Sequence, residues 1–113
     1  MRPLKIDQTQ FGAKVGRHMQ EFGRNPGNIA DRRWLTDHIL DIYANATEFR
    51  EGSFSGQGAI TASGANARGP VWFYAKDGDV VITDKSDNFV TILKNGATMN
   101  TSFRTANKLT SRP

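Results

Sequence analysis

The sequence predicts an α+β fold in which two N-terminal helices pack on a four-stranded antiparallel sheet. Apolar residues recur at helical spacing up to about residue 46 and then alternate in short runs typical of strands, and Asp77-Gly78 marks a tight hairpin between two such runs. The 113 residues match the usual size of one domain, and 37% apolar content allows one modest core. We therefore expect a single domain, residues 1–113, with helices at about 7–46, a mobile loop at about 55–70 and the sheet at about 71–106.

Two amphipathic patterns define the helices. Asp7 can cap the first one, with Gln10 three residues later as in a capping box, and Gly23 ends it. Asn28 caps the second helix, which follows the breaker cluster at 25–27 and runs to about Ala46. The apolar stripe of the first helix consists of Phe11, Val15, Met19 and Phe22. That of the second consists of Leu35, Ile39, Ile42 and Tyr43, with Trp34 at its margin.

Short alternating runs predict the sheet. A strand at 48–54 is followed by a loop at 55–70 that is rich in Gly, Ser, Ala and Asn, which we expect to be mobile. Three further strands are predicted at 71–75, 79–83 and 88–94. The basic tail is expected to add an edge strand or short helix near 102–106 and to fray at 110–113. Because the helices cover one face of this sheet, the other face or a cleft at its edge is left for a ligand.

Composition narrows the possible functions. Fifteen Lys and Arg against eleven Asp and Glu leave a net charge of +4, which favours a polyanionic partner such as nucleic acid. Without cysteine the chain has no disulfide framework, no thiolate nucleophile and no cysteine-rich zinc site. No apolar run is long enough for a membrane span, and the first residues do not have a signal-peptide pattern. No metal-ligand or nucleotide-binding motif is present, so we expect neither a metal nor a cofactor.

The strongest candidate for chemistry is on the first helix, where Lys14 and His18 are four residues apart and share a face. Imidazole can transfer protons near neutral pH, and a lysine beside it can bind an anion. A histidine this close to an apolar stripe is also typical of a hydrogen-bonded core residue. His38 on the second helix has Asp37 and Asp41 nearby, which favours a packing or helix-orienting role.

Hydrogen-bond donors lie in and after the last predicted strand. Thr91 alternates with Phe89 and Leu93 on one predicted face, while Val90 and Ile92 form the other. Its hydroxyl can donate to a phosphate oxygen, although threonine is also an ordinary strand former. Further donors follow in the tail, where they either contact phosphate or remain solvated: Lys94, Asn100, Ser102, Arg104 and Lys108. One aromatic side chain of the run 72–74 could stack on a base from the open face.

Three segments carry a family resemblance: FGAKVGRHMQEFGRNPGNIADR, GPVWFYAKDGDVVITDKSDNFVTILKNG and NTSFRTA. Together they resemble the C-terminal toxin domains of bacterial polymorphic and contact-dependent growth inhibition systems. Among these they are most similar to ribonucleases of the barnase, colicin E5, colicin D and RelE-like (BECR) fold. The resemblance extends from about residue 11 to about 106, apart from the loop. It implies a helical pair before a four-stranded antiparallel sheet.

The resemblance implies a metal-independent ribonuclease, often one that cleaves tRNA. Such a domain is released from a larger secreted effector, acts in the cytoplasm of the target bacterium and is neutralised by a cognate immunity protein. It needs no cofactor, because RNA carries its own nucleophile, the 2′-hydroxyl. The catalytic residues implied here are His18 as general acid or base, Lys14 and Arg104 as charge stabilisers and Thr91 as a positioning donor. Those implied for substrate binding are Arg17, Lys94, Asn100 and Ser102.

The acid–base pair is incomplete on this sequence, where Glu48 and Glu51 are weak candidates for a second group. Two other functions fit the same residues. The first is a module that binds nucleic acid on the open sheet face without cleaving it. The second is a protein-interaction domain whose sheet edge pairs with another chain.

Overall fold

A computed structural model describes residues 2–7, 16, 18–54 and 69–113. Within these residues the fold is α+β, with helices on a five-stranded antiparallel sheet of order β4-β3-β2-β1-β5. The strands are β1 (Glu48–Phe54), β2 (Gly69–Lys76), β3 (Asp79–Asp84), β4 (Phe89–Leu93) and β5 (Asn107–Leu109). The helices are α1 (Ile29–Asn45), α2 (Gly96–Met99) and α3 (Thr101–Thr105), and residues 18–21 form a further helical turn. No helix in these parts of the chain is long and apolar enough to cross a membrane.

Helix α1 begins where the sequence predicts. The side chain of Asn28 accepts a hydrogen bond of 3.1 Å from the backbone N–H of Asp31, which satisfies one of the unpaired donors at the helix start. The predicted inner stripe is confirmed, since all four members are buried: Leu35, Ile39, Ile42 and Tyr43. This stripe packs on β2 and β3 and forms one layer of the core.

The end of the first predicted helix is also confirmed. Met19 is fully buried in the same core layer as α1, and Phe22 packs against it. Gly23 ends the helix with a φ of +70°, and the N–H of Arg24 donates to the carbonyl of Met19 (2.8 Å), as in a Schellman motif. Several sequence predictions lie wholly or partly outside the described residues: the capping box of Asp7 with Gln10, of which only Asp7 is described, the stripe residues Phe11 and Val15, and the loop at 55–68.

The hairpin between β2 and β3 has the predicted turn. Asp77 and Gly78 have φ values of +52° and +89°, and a two-residue turn with positive φ at both positions matches the twist of the strands it connects. The next turn is closed by Asp84, whose Oδ1 accepts from the backbone N–H groups of Ser86 (2.8 Å) and Asn88 (3.0 Å). Short-range chemistry therefore specifies the β2–β3 and β3–β4 connections.

The prediction of four strands was wrong, because β5 pairs antiparallel with β1 and adds a fifth. Phe49 lies opposite Leu109 in this pair. A three-residue polar strand has no alternating pattern to reveal it. It pairs because α2 and α3 return the chain across the sheet to its far edge.

The prediction that one face of the sheet is open was also wrong. Phe103 of α3 is buried against this face, with its ring edge-on to Phe73 at a centroid distance of 5.8 Å. The second core layer formed in this way contains Phe54, Val71, Phe73, Ala75, Val80, Ile82, Val90 and Phe103. Apolar side chains on both faces of the strands require a cover on both sides, and the C-terminal segment supplies the second one.

The predicted fraying of 110–113 is wrong at Arg112. Its Nη2 donates to the carbonyl of Ala44 (3.0 Å), and its guanidinium lies 5.0 Å from the ring centre of Phe49 and 5.5 Å from that of Tyr43. The C-terminus therefore packs against the end of α1.

The two tyrosines of the chain, Tyr43 and Tyr74, should resist ionisation in the folded protein. Burial raises the pKa of Tyr43 and raises that of Tyr74 to about 12, whereas unfolded tyrosines titrate near pH 10. The folded state thus holds these protons more tightly, and the resulting stabilisation is complete below about pH 10 and is lost as the pH rises towards about 12. We expect tyrosinate absorbance to increase near pH 10 in urea-unfolded protein and only at higher pH in folded protein. A step near pH 10 in protein that circular dichroism shows to be folded would contradict this.

Candidate functional site

An open groove of about 550 Å³ lies at the end of the edge strand β4. The helical turn at 18–21 contributes one wall, and the end of β4 with α2 contributes the other. The residues that line it are His18, Glu21, Leu93, Lys94, Asn95, Gly96, Met99 and Asn100. It therefore brings together three of the residues singled out in the sequence: His18, Lys94 and Asn100.

The tight turn after β4 creates the second wall. Asn95 adopts a left-handed conformation with a φ of +56°, and its backbone N–H donates to Oδ1 of Asp79 (2.9 Å). Gly96 is required for close packing, because a Cβ there would lie 2.7 Å from Cβ of Leu93 and 3.2 Å from Cβ of Val80. Asparagine tolerates the left-handed region better than most residues, so Asn-Gly suits this turn.

His18 contributes an imidazole to the first wall. Its Nδ1 lies 3.3 Å from Oε1 of Glu21, and 23% of the His18 side chain is exposed. This contact is close enough for a hydrogen bond but does not have the geometry of one, and Nδ1 is buried without a hydrogen-bond partner. We regard the contact as electrostatic. The Glu21 carboxylate lies on the Nδ1 side of the ring.

Lys94 lies at the rim of the groove. Its Nζ donates to the backbone carbonyl of Glu21 (2.8 Å) and lies 5.8 Å from the ring centre of Phe22. An ammonium group has three N–H donors, so this bond leaves others for an anion. Lys94 thus places a positive charge beside the turn that carries His18.

Asn100 has a structural role as well as a place in the groove. Its Oδ1 accepts a hydrogen bond of 2.9 Å from the N–H of Phe103 and caps α3. The cap orients the side chain and leaves the amide NH₂ group as its donor end.

Three other predicted site residues do not line the groove. A β-bulge between Ile82 and Thr83 shifts the register, so that Thr91 pairs with Ile82 and Phe89 pairs with Thr83. The predicted alternation of β4 was therefore wrong: Phe89 joins Ile92 in the layer under α1, and Val90 joins the second layer. Thr91 is only 7% exposed and lies on the same face as Ile82.

Ser102 and Arg104 are on α3, away from the groove. The Arg104 side chain is exposed, and its carbonyl accepts from Nη1 of Arg50 at 3.2 Å. The remaining predicted site residues, Lys14 and Arg17, lie outside the described residues.

His38 packs as the sequence predicts, but with a different carboxylate. Its ring stacks on Trp34 with a centroid distance of 5.0 Å and an interplanar angle of 15°, and the ring of Phe22 lies edge-on at 5.4 Å. Its Nε2 lies 3.0 Å from Oδ2 of Asp79 on β3, whereas Asp41 pairs with Lys76. The same Asp79 carboxylate therefore contacts both His38 and the turn at Asn95.

Sequence reasoning missed Glu21 and Asn95 as parts of the site. Glu21 could have been found, because it is three residues after His18 and such residues are neighbours on a helix. Asn95 could not, because its place in the groove depends on how the turn after β4 meets residues 18–21.

The chain was also compared with metal sites and with known proteins. Within the described residues, no three His, Asp or Glu side chains cluster closely enough to hold a metal ion. Comparisons with protein-family models, curated proteins and solved structures find no match to this chain.

Proposed function

We propose that this protein is a metal-independent endoribonuclease that acts as a toxin, with the groove at the end of β4 as its active site. The observation that carries the proposal is the meeting of His18, Glu21, Lys94 and Asn100 in one open groove. A histidine beside a carboxylate can transfer protons, and the ammonium and amide groups can bind a phosphate.

The proposed reaction uses the 2′-hydroxyl of RNA as the nucleophile. A base removes its proton, the 2′-oxygen forms a bond to the adjacent phosphorus, and the bond from phosphorus to the 5′-oxygen breaks. The leaving oxygen receives a proton, so the products are a 2′,3′-cyclic phosphate and a 5′-hydroxyl. His18 performs one of the two proton transfers, and the Glu21 carboxylate, 3.3 Å from Nδ1, helps to orient its ring.

Lys94 and Asn100 act on the phosphate. Donors already held in place bind the phosphate equally in the bound substrate and in the transition state, so their loss is expected mainly in KM. Lys94 is anchored by the Glu21 carbonyl and Asn100 by its cap bond to Phe103. Both donors are therefore oriented before the substrate binds.

Further parts of the proposal rest on the family resemblance and the net charge of +4. The α+β class and the antiparallel meander are compatible with a BECR-type ribonuclease, and β5 is then an addition at the sheet edge. We propose tRNA as the substrate and an acidic immunity protein as the partner. The domain would be delivered as the C-terminal part of a secreted effector and act in the cytoplasm of the target bacterium.

The test is incubation of the purified protein with total bacterial RNA in EDTA. Discrete fragments that end in a 2′,3′-cyclic phosphate would support the proposal. RNA that is bound but intact, both in EDTA and with added Mg²⁺, would overturn it in favour of a non-catalytic binding module. RNA that is neither bound nor cleaved would favour a protein-interaction domain.

Replacing Lys94 by alanine should weaken RNA binding more than catalysis. Loss of one charge-assisted hydrogen bond to phosphate corresponds to roughly a tenfold rise in KM, with a shallower dependence of binding on salt. Cleavage rates as a function of tRNA concentration measure this effect. Lys108→Ala is the matched control, because Lys108 is an exposed tail lysine outside the groove. An equal rise in KM for both variants would mean that charge alone, and not the groove, determines binding.

A further inference from the structure

His38 and Asp79, behind the groove, form a continuous set of polar contacts with Asn95 in its wall. Nε2 of His38 lies 3.0 Å from Oδ2 of Asp79, and Oδ1 of Asp79 accepts from the backbone N–H of Asn95 at 2.9 Å. An ionised carboxylate only accepts hydrogen bonds, so Nε2 of His38 is the donor. Asn95 lies between Lys94 and Gly96, and all three line the groove. One carboxylate therefore connects α1 to the groove wall.

We propose that His38 is a positioning residue for the groove: by holding Asp79, it fixes the turn that carries Lys94 and Asn95. Its effect on RNA cleavage rests on the proposed function. Its effect on the turn itself does not, so the two can be tested separately.

The turn needs a fixed partner because of its backbone conformation. Asn95 has a φ of +56°, a left-handed conformation that asparagine tolerates better than most residues but adopts less readily than glycine. The hydrogen bond from its N–H to Asp79 helps to hold this conformation. The Asp79 side chain is only 15% exposed, so little water is available to replace a lost partner.

The surroundings of His38 favour positioning over proton transfer to a substrate. Its ring is stacked on Trp34 and meets the edge of Phe22, which holds it in one orientation. Trp34 is in turn covered by the guanidinium of Arg24, 4.0 Å from the ring centre. His38 is not among the residues that line the groove. Its described polar contact is directed at Asp79.

Two substitutions separate the hydrogen bond from the ring packing. His38→Gln keeps an N–H donor and loses the aromatic ring, whereas His38→Phe keeps a ring and loses the donor. Asp37→Ala is the matched control, because Asp37 is exposed on the same helix. If His38→Phe does not fold, His38→Met, which also lacks a donor, takes its place.

The first readouts do not depend on RNA cleavage. We expect His38→Phe to speed hydrogen exchange at the Asn95 amide and to weaken the binding of inorganic phosphate. Phosphate binding is measured by titration, from the shifts of the amide resonances of Lys94 and Asn95. The expected loss of affinity is about threefold to tenfold, the range for one hydrogen bond. His38→Gln and Asp37→Ala should match the wild type. On total bacterial tRNA the same loss should appear in KM, with kcat within about twofold.

Other outcomes would overturn the inference. If hydrogen exchange at Asn95 and phosphate affinity are unchanged in His38→Phe but altered in His38→Gln, the ring of His38 acts through packing alone. A fall in kcat of about 100-fold in both variants, with unchanged exchange at Asn95, would make His38 a proton-transfer group. If the wild-type protein does not cleave RNA, the proposed function fails. Hydrogen exchange at Asn95 and phosphate affinity then still show whether His38 positions the turn.

Discussion

Replacing His18 by alanine is expected to lower the rate of RNA cleavage by about 100-fold to 10,000-fold, the range for loss of a general acid or base. The imidazole lies in the groove with one nitrogen facing Glu21, and among the described groove residues only Glu21 and Lys94 also carry an ionisable side chain. The measurement is cleavage of total bacterial RNA in EDTA, with folding checked by circular dichroism.

Gln20→Ala is the matched control, because Gln20 is exposed on the same helical turn and does not line the groove. It should cleave RNA at the wild-type rate. A folded His18→Ala variant with normal activity would remove His18 from the mechanism. A variant that no longer folds would instead support the interpretation of His18 as a core histidine.

Glu21→Gln should reduce activity less than His18→Ala if Glu21 only orients the ring. A loss as large as that of His18→Ala would make the Glu21 carboxylate itself a proton-transfer group. This comparison distinguishes the two roles that the 3.3 Å contact permits.

Replacing Phe103 by alanine is expected to cost about 3–5 kcal/mol of the free energy of unfolding, the range for removing a buried aromatic side chain. Phe103 is 1% exposed, contacts Phe73 edge-on, and has the guanidinium of Arg50 at 4.4 Å from its ring centre. Because a domain of this size has only about 5–15 kcal/mol of stability, the variant should be close to unfolding. Urea denaturation measures the change.

Met99→Ala provides the control, since Met99 is 75% exposed on the neighbouring helix. It should change the free energy of unfolding by less than about 0.5 kcal/mol. A cost below about 1 kcal/mol for Phe103→Ala would mean that α3 does not cover the second face of the sheet in solution. The sheet face would then be available to a ligand, as the binding-module hypothesis requires.

Local chemistry alone determined much of this fold. Asn28 and the stripe from Leu35 to Tyr43 specify α1, because caps and helical periodicity involve residues within a few positions of each other. Asp77 and Gly78 specify the β2–β3 hairpin in the same way, through their backbone conformation. These elements could therefore be predicted from the sequence.

The site could be predicted only in part. The donors at Lys94 and Asn100 and the proton-transfer chemistry of His18 were evident from residue type. Thr91 does not line the groove, and the bulge that moves Phe89 off the predicted face depends on both β3 and β4, so it could not be predicted from either strand alone.

The place where these residues meet depends on long-range contacts. Lys94 contacts the carbonyl of Glu21 across 73 positions of sequence, and Arg50 contacts that of Phe103 across 53. The buried face of the sheet, the fifth strand and the groove all depend on such contacts between distant segments. The elements and their chemistry follow from neighbouring residues and can be derived from the sequence. The groove depends on packing between distant segments, because burial of Met19 in the layer under α1 places residues 18–21 beside the end of β4.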